Sequence, residues 1–144
     1  MSKTIEHLKE ATSTFLELHA KSTKVAEWSE PWSFKGEIPN QAKQGVYAFL
    51  NTDQEVVYIG VGASKGDGIY EGAGLGRRLG RVWKKHTTTP TDVDGVKLYE
   101  PTDKYTYVDS IITFAFDIQE WYLAYALEYY LISELRPEKN KLGK

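Results

Sequence analysis

Cysteine is absent from all 144 residues. Disulfides and thiolate metal sites are therefore excluded, and any metal ion has to be held by oxygen or imidazole ligands. No apolar run is long enough to span a bilayer. The opening residues carry acidic side chains early and no apolar signal core, so the expected setting is the cytoplasm, without membrane contact. Bulk positive charge is also missing. Lys and Arg number 18 against 20 Asp and Glu, for a net charge of −2 and a pI near 5.9. Generic attraction to nucleic acid is then weak, and any such binding must come from a local patch. One patch is present: Arg77, Arg78, Arg81, Lys84, Lys85 and His86.

Apolar residues make up 41% of the chain, with four Trp and ten Tyr. That composition belongs to a globular chain rather than a disordered one, and the length suits one domain. Ile5, Leu8, Ala11, Phe15 and Leu18 recur at helical spacing, which predicts a helix from 4 to about 21 with Thr4 as its cap. Pro31, Gly36 and Pro39 mark 28–40 as a connector whose Trp28, Trp32 and Phe34 pack onto the core. Two strand-like stretches follow, Val46–Leu50 and Val56–Ile59, separated by the polar run 51–55 and read as an antiparallel hairpin over 45–61.

Gly62, Gly66, Gly68, Gly72, Gly74 and Gly76 then make a loop. It lacks the Gly-Lys-Ser/Thr ending of a phosphate-binding loop and is read as a flexible segment over the substrate. Leu75, Leu79 and Val82 predict a basic helix over 75–86, and a short strand is expected near 96–99. Tyr105–Phe116 reads as a buried strand. Asp117 and Glu120 have capping-box spacing before a helix over 118–135, with Leu123, Leu127, Leu131 and Leu135 facing the core and Pro137 beyond its end. Its aromatic residues, Trp121, Tyr122, Tyr125, Tyr129 and Tyr130, are read mostly as packing, with one or two lining a cleft.

The hairpin carries two triplets, Gly45-Val46-Tyr47 and Tyr58-Ile59-Gly60. They put two phenols on neighbouring strands. The order that follows is a basic helix, a strand, a helix bearing Glu128, and Arg136-Pro137-Glu138-Lys139-Asn140. Over roughly residues 45–140 this arrangement resembles the GIY-YIG nuclease superfamily. The first triplet has Val where the family name has Ile. Gly68-Ile69-Tyr70 spells that name but follows the second triplet, and is read as loop sequence.

The resemblance implies an α+β fold, a small mostly antiparallel three-stranded sheet flanked by helices. Residues 1–44 would add an N-terminal helical extension and connector to a nuclease domain at 45–144. It implies a divalent-metal-dependent endonuclease acting on phosphodiester bonds in DNA. Tyr47, Tyr58, Arg78, Glu128 and Asn140 match the family's functional positions, with Glu128 as ligand to Mg²⁺ or Mn²⁺.

The residue types suit that chemistry. Arg78 can clamp phosphate oxygens bidentately, and Glu128 is a hard oxygen ligand for a cation that keeps most of its waters. Tyr47 is the expected general base. A free phenol has a pKa near 10, so Arg78 or another cation has to lower it. Tyr58 would orient water or phosphate, and Asn140 would hold the metal site or the backbone around it. His86 would assist proton transfer, with a surface or helix-capping role as its plain alternative. Arg77, Arg81, Lys84 and Lys85 are expected phosphate contacts, with a solvated helix face as the alternative. The rival to the enzyme is a catalytically inactive nucleic-acid-binding or interaction module. The extension would brace the core or support a homodimer.

Overall fold

The computed structural model describes residues 3–19, 27–63, 74–85, 92–93, 96–117, 120 and 122–140; of these, the side chains of Arg77, Lys85, Asp92 and Val93 are not described. Helix α1 (Ile5–His19) precedes strands β1 (Gly45–Leu50) and β2 (Val56–Gly62). Helix α2 (Leu75–Leu79) is followed by β3 (Trp83–Lys85), β4 (Asp92–Val93), β5 (Val96–Lys97) and β6 (Tyr99–Pro101). Strand β7 (Ser110–Ala115) and helix α3 (Leu123–Leu135) complete the order. The fold is α+β. Its centre is a three-stranded antiparallel sheet in the order β2-β1-β7.

The central strand β1 is buried on both faces, so its side chains divide between two cores by simple alternation. Val46, Ala48 and Leu50 face a core shared with Leu8 and Phe15 of α1 and with Leu123, Leu127 and Leu131 of α3. Tyr47 and Phe49 face a second core built from Trp32, Phe34, Leu75, Leu79, Val82 and Ile111. A bulge keeps the alternation in phase on β2. Phe49 pairs with Tyr58 and Leu50 with Val56, leaving Val57 as the extra residue.

The ends of α1 follow from local chemistry. Thr4 N–H donates to His7 Nδ1 at 2.9 Å, and His7 N–H reaches back to Thr4 Oγ1 at 3.5 Å. This is a capping box in which His stands in for the usual Glu or Gln. Leu8, Thr12 and Phe15 form the buried stripe. Thr12 also accepts a 3.0 Å hydrogen bond from the Trp28 indole, which fastens the connector to the helix. The connector has no regular element of its own. Trp28, Trp32 and Phe34 are buried as expected. Hydrogen bonds from Ser29 and Trp32 attach it to β7.

Three expected elements are shorter than the sequence predicts. The basic helix stops at Leu79 instead of continuing to 86. Gly80 caps it and a turn leads into β3, which pairs with β6. On this strand Trp83 packs its ring at a tilt against Trp32 (4.7 Å between centroids) and Tyr99 (6.2 Å), aromatic contacts that favour the strand. Lys84 and Lys85 therefore stand on a strand, not on the helix of Arg78. The strand expected over 105–116 is confined to Ser110–Ala115, after a 3₁₀ turn at Asp103–Tyr105. Helix α3 starts at Leu123, with Tyr122 rather than Asp117 at its N-cap. It ends at Leu135, where Arg136 turns left-handed (φ 48°) immediately before Pro137.

Candidate functional site

Tyr47 and Tyr58 lie on one face of the sheet as diagonal neighbours. Tyr47 pairs with Gly60, Tyr58 with Phe49, and the two phenol rings are 6.2 Å apart between centroids. Tyr58 stacks on Phe49 (5.2 Å, 27°). Tyr47 is only 3% exposed. Its ring lies across the backbone of Gly60, where a Cβ would overlap the phenol carbon and oxygen. Gly45, at the other end of the same pairing, is under the carbonyl of Phe114 and equally has no room for a side chain. Both glycines of the two triplets thus have steric reasons that a strand assignment alone does not supply.

Helix α2 packs Leu75 and Leu79 into the second core, which turns Arg78 toward Tyr47. The Arg78 guanidinium lies close enough to the Tyr47 phenol to favour its charged form, and Arg81 adds a second positive charge nearby. The expectation that these cations bring the phenol's pKa down is not met. Burial pushes it up, the neighbouring Tyr58 adds to the rise, and the pull of Arg78 and Arg81 is smaller. The net shift is well above the ordinary tyrosine value, so Tyr47 keeps its proton through neutral pH.

Glu128 comes from the opposite side of the sheet, because α3 packs on the first core. The residue that joins the two sides is Tyr125, one helical turn before Glu128. Its hydroxyl donates to the Ala63 carbonyl at 2.9 Å, just past the end of β2. Burial raises its pKa, Arg78 lowers it and Glu128 raises it, so the phenol feels both charges. Arg78 and Glu128 therefore both act on one tyrosine, which is anchored just past the end of β2. The sequence reading allowed one or two aromatics of this helix into a cleft without singling out Tyr125. The available signal was its i, i+3 spacing to Glu128. Two others, Tyr122 and Tyr129, are 51% and 71% exposed and are not core packing.

Asn140 has a defined place. Its amide accepts from Ile59 N–H at 2.8 Å and donates to Ile59 C=O at 2.9 Å. Lys139 N–H bonds Val57 C=O at 2.9 Å. Of the two roles expected for Asn140, holding backbone is the one its contacts display. It braces the residue between Tyr58 and Gly60. Lys139 Nζ sits 4.6 Å over the Tyr107 ring, beside Tyr105 and Tyr58.

Arg81 and Lys84 are exposed. The side chains of Arg77 and Lys85, all of His86, and the Gly68-Ile69-Tyr70 segment of the glycine-rich loop lie outside the described residues and side chains. The helix of Arg78 ends at Leu79.

Among the described residues no group of three or more His, Asp or Glu gathers in a metal-binding cluster. The donor set at this site is one carboxylate with phenol oxygens nearby. That fits a hard divalent ion that retains water in most of its shell, and does not fit a fully caged ion. Among the described residues no helix is long and apolar enough to cross a membrane. No family model matches the chain, and no curated protein or solved structure matches it either.

Proposed function

We propose that this chain is a divalent-metal-dependent endonuclease that hydrolyses phosphodiester bonds in DNA, on a GIY-YIG-like fold. The observation that carries the reading is the pair of phenols Tyr47 and Tyr58 on neighbouring strands with Arg78 acting on Tyr47, and with Tyr125 under the influence of both Arg78 and Glu128. Arg78 acts on both Tyr47 and Tyr125, and Glu128 acts on Tyr125, although their segments are far apart in the chain.

Hydrolysis gathers negative charge on the phosphate oxygens, and Arg78 is the fixed cation that meets it. Tyr58 orients the attacking water or a phosphate oxygen. Tyr47 takes a proton from that water as the oxygen bonds to phosphorus and the P–O bond on the far side breaks. Arg78 stabilises the phenolate form that does this, and burial keeps that form scarce. Glu128 would hold Mg²⁺ or Mn²⁺, which supplies charge stabilisation at the leaving oxygen. Asn140 holds Ile59 and so fixes the strand on which Tyr58 is mounted.

The test is supercoiled plasmid with Mg²⁺ or Mn²⁺. Wild type nicks or linearises it, and Arg78→Ala and Glu128→Ala each lose on the order of 100-fold or more in rate. Because the working form of Tyr47 is the minority phenolate, the rate climbs about tenfold per pH unit between pH 7 and 9, and Tyr47→Phe abolishes the climb. DNA binding without cleavage under either metal assigns the chain to the inactive binding module instead.

A further inference from the structure

Large apolar or aromatic side chains are well exposed at only three described positions, Leu18 (67%), Tyr122 (51%) and Tyr129 (71%). Two of the three share one face of α3. Seven residues separate them, two helical turns or about 10.5 Å along the axis. Ala126 and Ser133, also exposed, lie between and beyond them on the same face, so nothing bulky on the helix interrupts it. On its flank stands Tyr125, fixed by its bond to Ala63, and next to that Glu128. The exposed cations Arg78 and Arg81 act on the tyrosines of the same site.

We propose that this face is a base-stacking platform, and that the substrate of the site is nucleic acid with unpaired nucleotides beside the scissile bond. The inference rests on the nuclease reading and narrows its substrate class. Tyrosine rings stack on any exposed base face, at about 1–3 kcal/mol per base. A continuous duplex hides those faces, whereas a single strand, flap or gap presents them. The charge balance points the same way. A chain of net charge −2 with two described surface cations at the site has little phosphate attraction to rely on. Stacking supplies affinity that electrostatics does not. Tyr122 and Tyr129 are separated by about three nucleotide steps of 3.4 Å, enough to engage different bases of one strand.

The experiment measures binding of a fluorescent 15-residue oligothymidine and of a blunt duplex of equal length, by anisotropy in EDTA so that nothing is cut. Wild type binds the single strand more tightly. Tyr122→Ala and Tyr129→Ala each weaken that binding about fivefold or more, while Tyr122→Phe and Tyr129→Phe retain it. The log–log salt slope is shallow, about −1.4 for two neutralised phosphates. Equal affinity for both probes, or alanine variants that bind like wild type, overturns the platform. Undiminished cutting of blunt duplex by the double alanine variant does so too, with the nuclease reading left standing. Tyrosine-dependent binding without cleavage under Mg²⁺ or Mn²⁺ has the reverse meaning: the platform stands and the nuclease falls. Loss of a dimer on sedimentation of Tyr129→Ala, with DNA binding intact, reassigns the face to self-association and also overturns it.

Discussion

A methyl group on Gly60 separates two explanations of why glycine stands there. Gly60 is not among the positive-φ residues, so its backbone lies where any residue is allowed. Judged by backbone alone, Gly60→Ala should stabilise the protein by about 0.4–1 kcal/mol, because the unfolded chain loses freedom. The structure predicts the opposite sign. The new Cβ would overlap Cζ and the hydroxyl of Tyr47 and stand 2.9 Å from Cε1. Tyr47 cannot swing outward cheaply, since it is buried and packed against Phe49 at 5.3 Å. Overpacking of this kind costs about 1–3 kcal/mol. Set against the backbone gain, the net effect is a loss of about 0.5–2 kcal/mol. Urea denaturation of wild type, Gly60→Ala, Tyr47→Phe and the double variant measures it. Phe lacks the hydroxyl that the methyl meets, so the alanine should cost less in the Tyr47→Phe background, giving a coupling of about 0.5 kcal/mol or more. If Gly60→Ala raises stability in both backgrounds alike, the close approach of the Tyr47 ring to β2 is wrong.

Asn140→Ala removes both bonds to Ile59 and should cost about 1–2 kcal/mol in denaturant unfolding, with faster amide exchange at Ile59; an unchanged exchange rate refutes the brace. Leu8 is fully buried between α1, β1 and α3, so Leu8→Ala should cost about 2–5 kcal/mol in one cooperative transition. A loss confined to a separate early transition would make α1 an independent appendage. Stability should also fall with alkali. Burial raises the folded pKa of Tyr47 above the unfolded value near 10, so the native state holds its proton more tightly. Stability is therefore full below about pH 10 and declines as pH rises beyond it, by up to about 1.4 kcal/mol per unit for this one group. Tyr47→Phe should decline less steeply in pH-dependent thermal melts, and an equal slope counts against its burial as the cause.

Much of the fold was legible because period and punctuation agree. Alternation around Tyr47 and Tyr58 gave the hairpin, and the leucines of α3 gave its buried face. The errors share a cause. Over 80–86 the local pattern is compatible with a helix, and only the distant partners of Trp83, namely Trp32 and Tyr99, make a strand preferable. The same holds for 105–109, where Tyr105 and Tyr107 pack around Phe49 instead of extending β7. At the site, the residue types could be read from spacing, but the protonation of Tyr47 could not. It depends on how deeply the ring is enclosed, and that is set by Leu75, Leu79 and the connector on the far face. Tyr125 was hidden among five aromatics until its hydroxyl was seen on Ala63.

The hydrogen bonds flanking the sheet bear on how copies of this molecule can meet. Beside β7, Ser29 and Trp32 already occupy the outward groups of Ile111 and Thr113. Beside β2, Lys3, Lys139 and the Asn140 amide occupy those of Val56, Val57 and Ile59. A third chain segment approaching at these positions finds no vacant row of donors and acceptors to zip onto, so the protein is guarded there against strand-by-strand polymerisation. Any pairing of two copies through these stretches would first have to peel away a terminus or the connector, and association by other faces costs no such rupture.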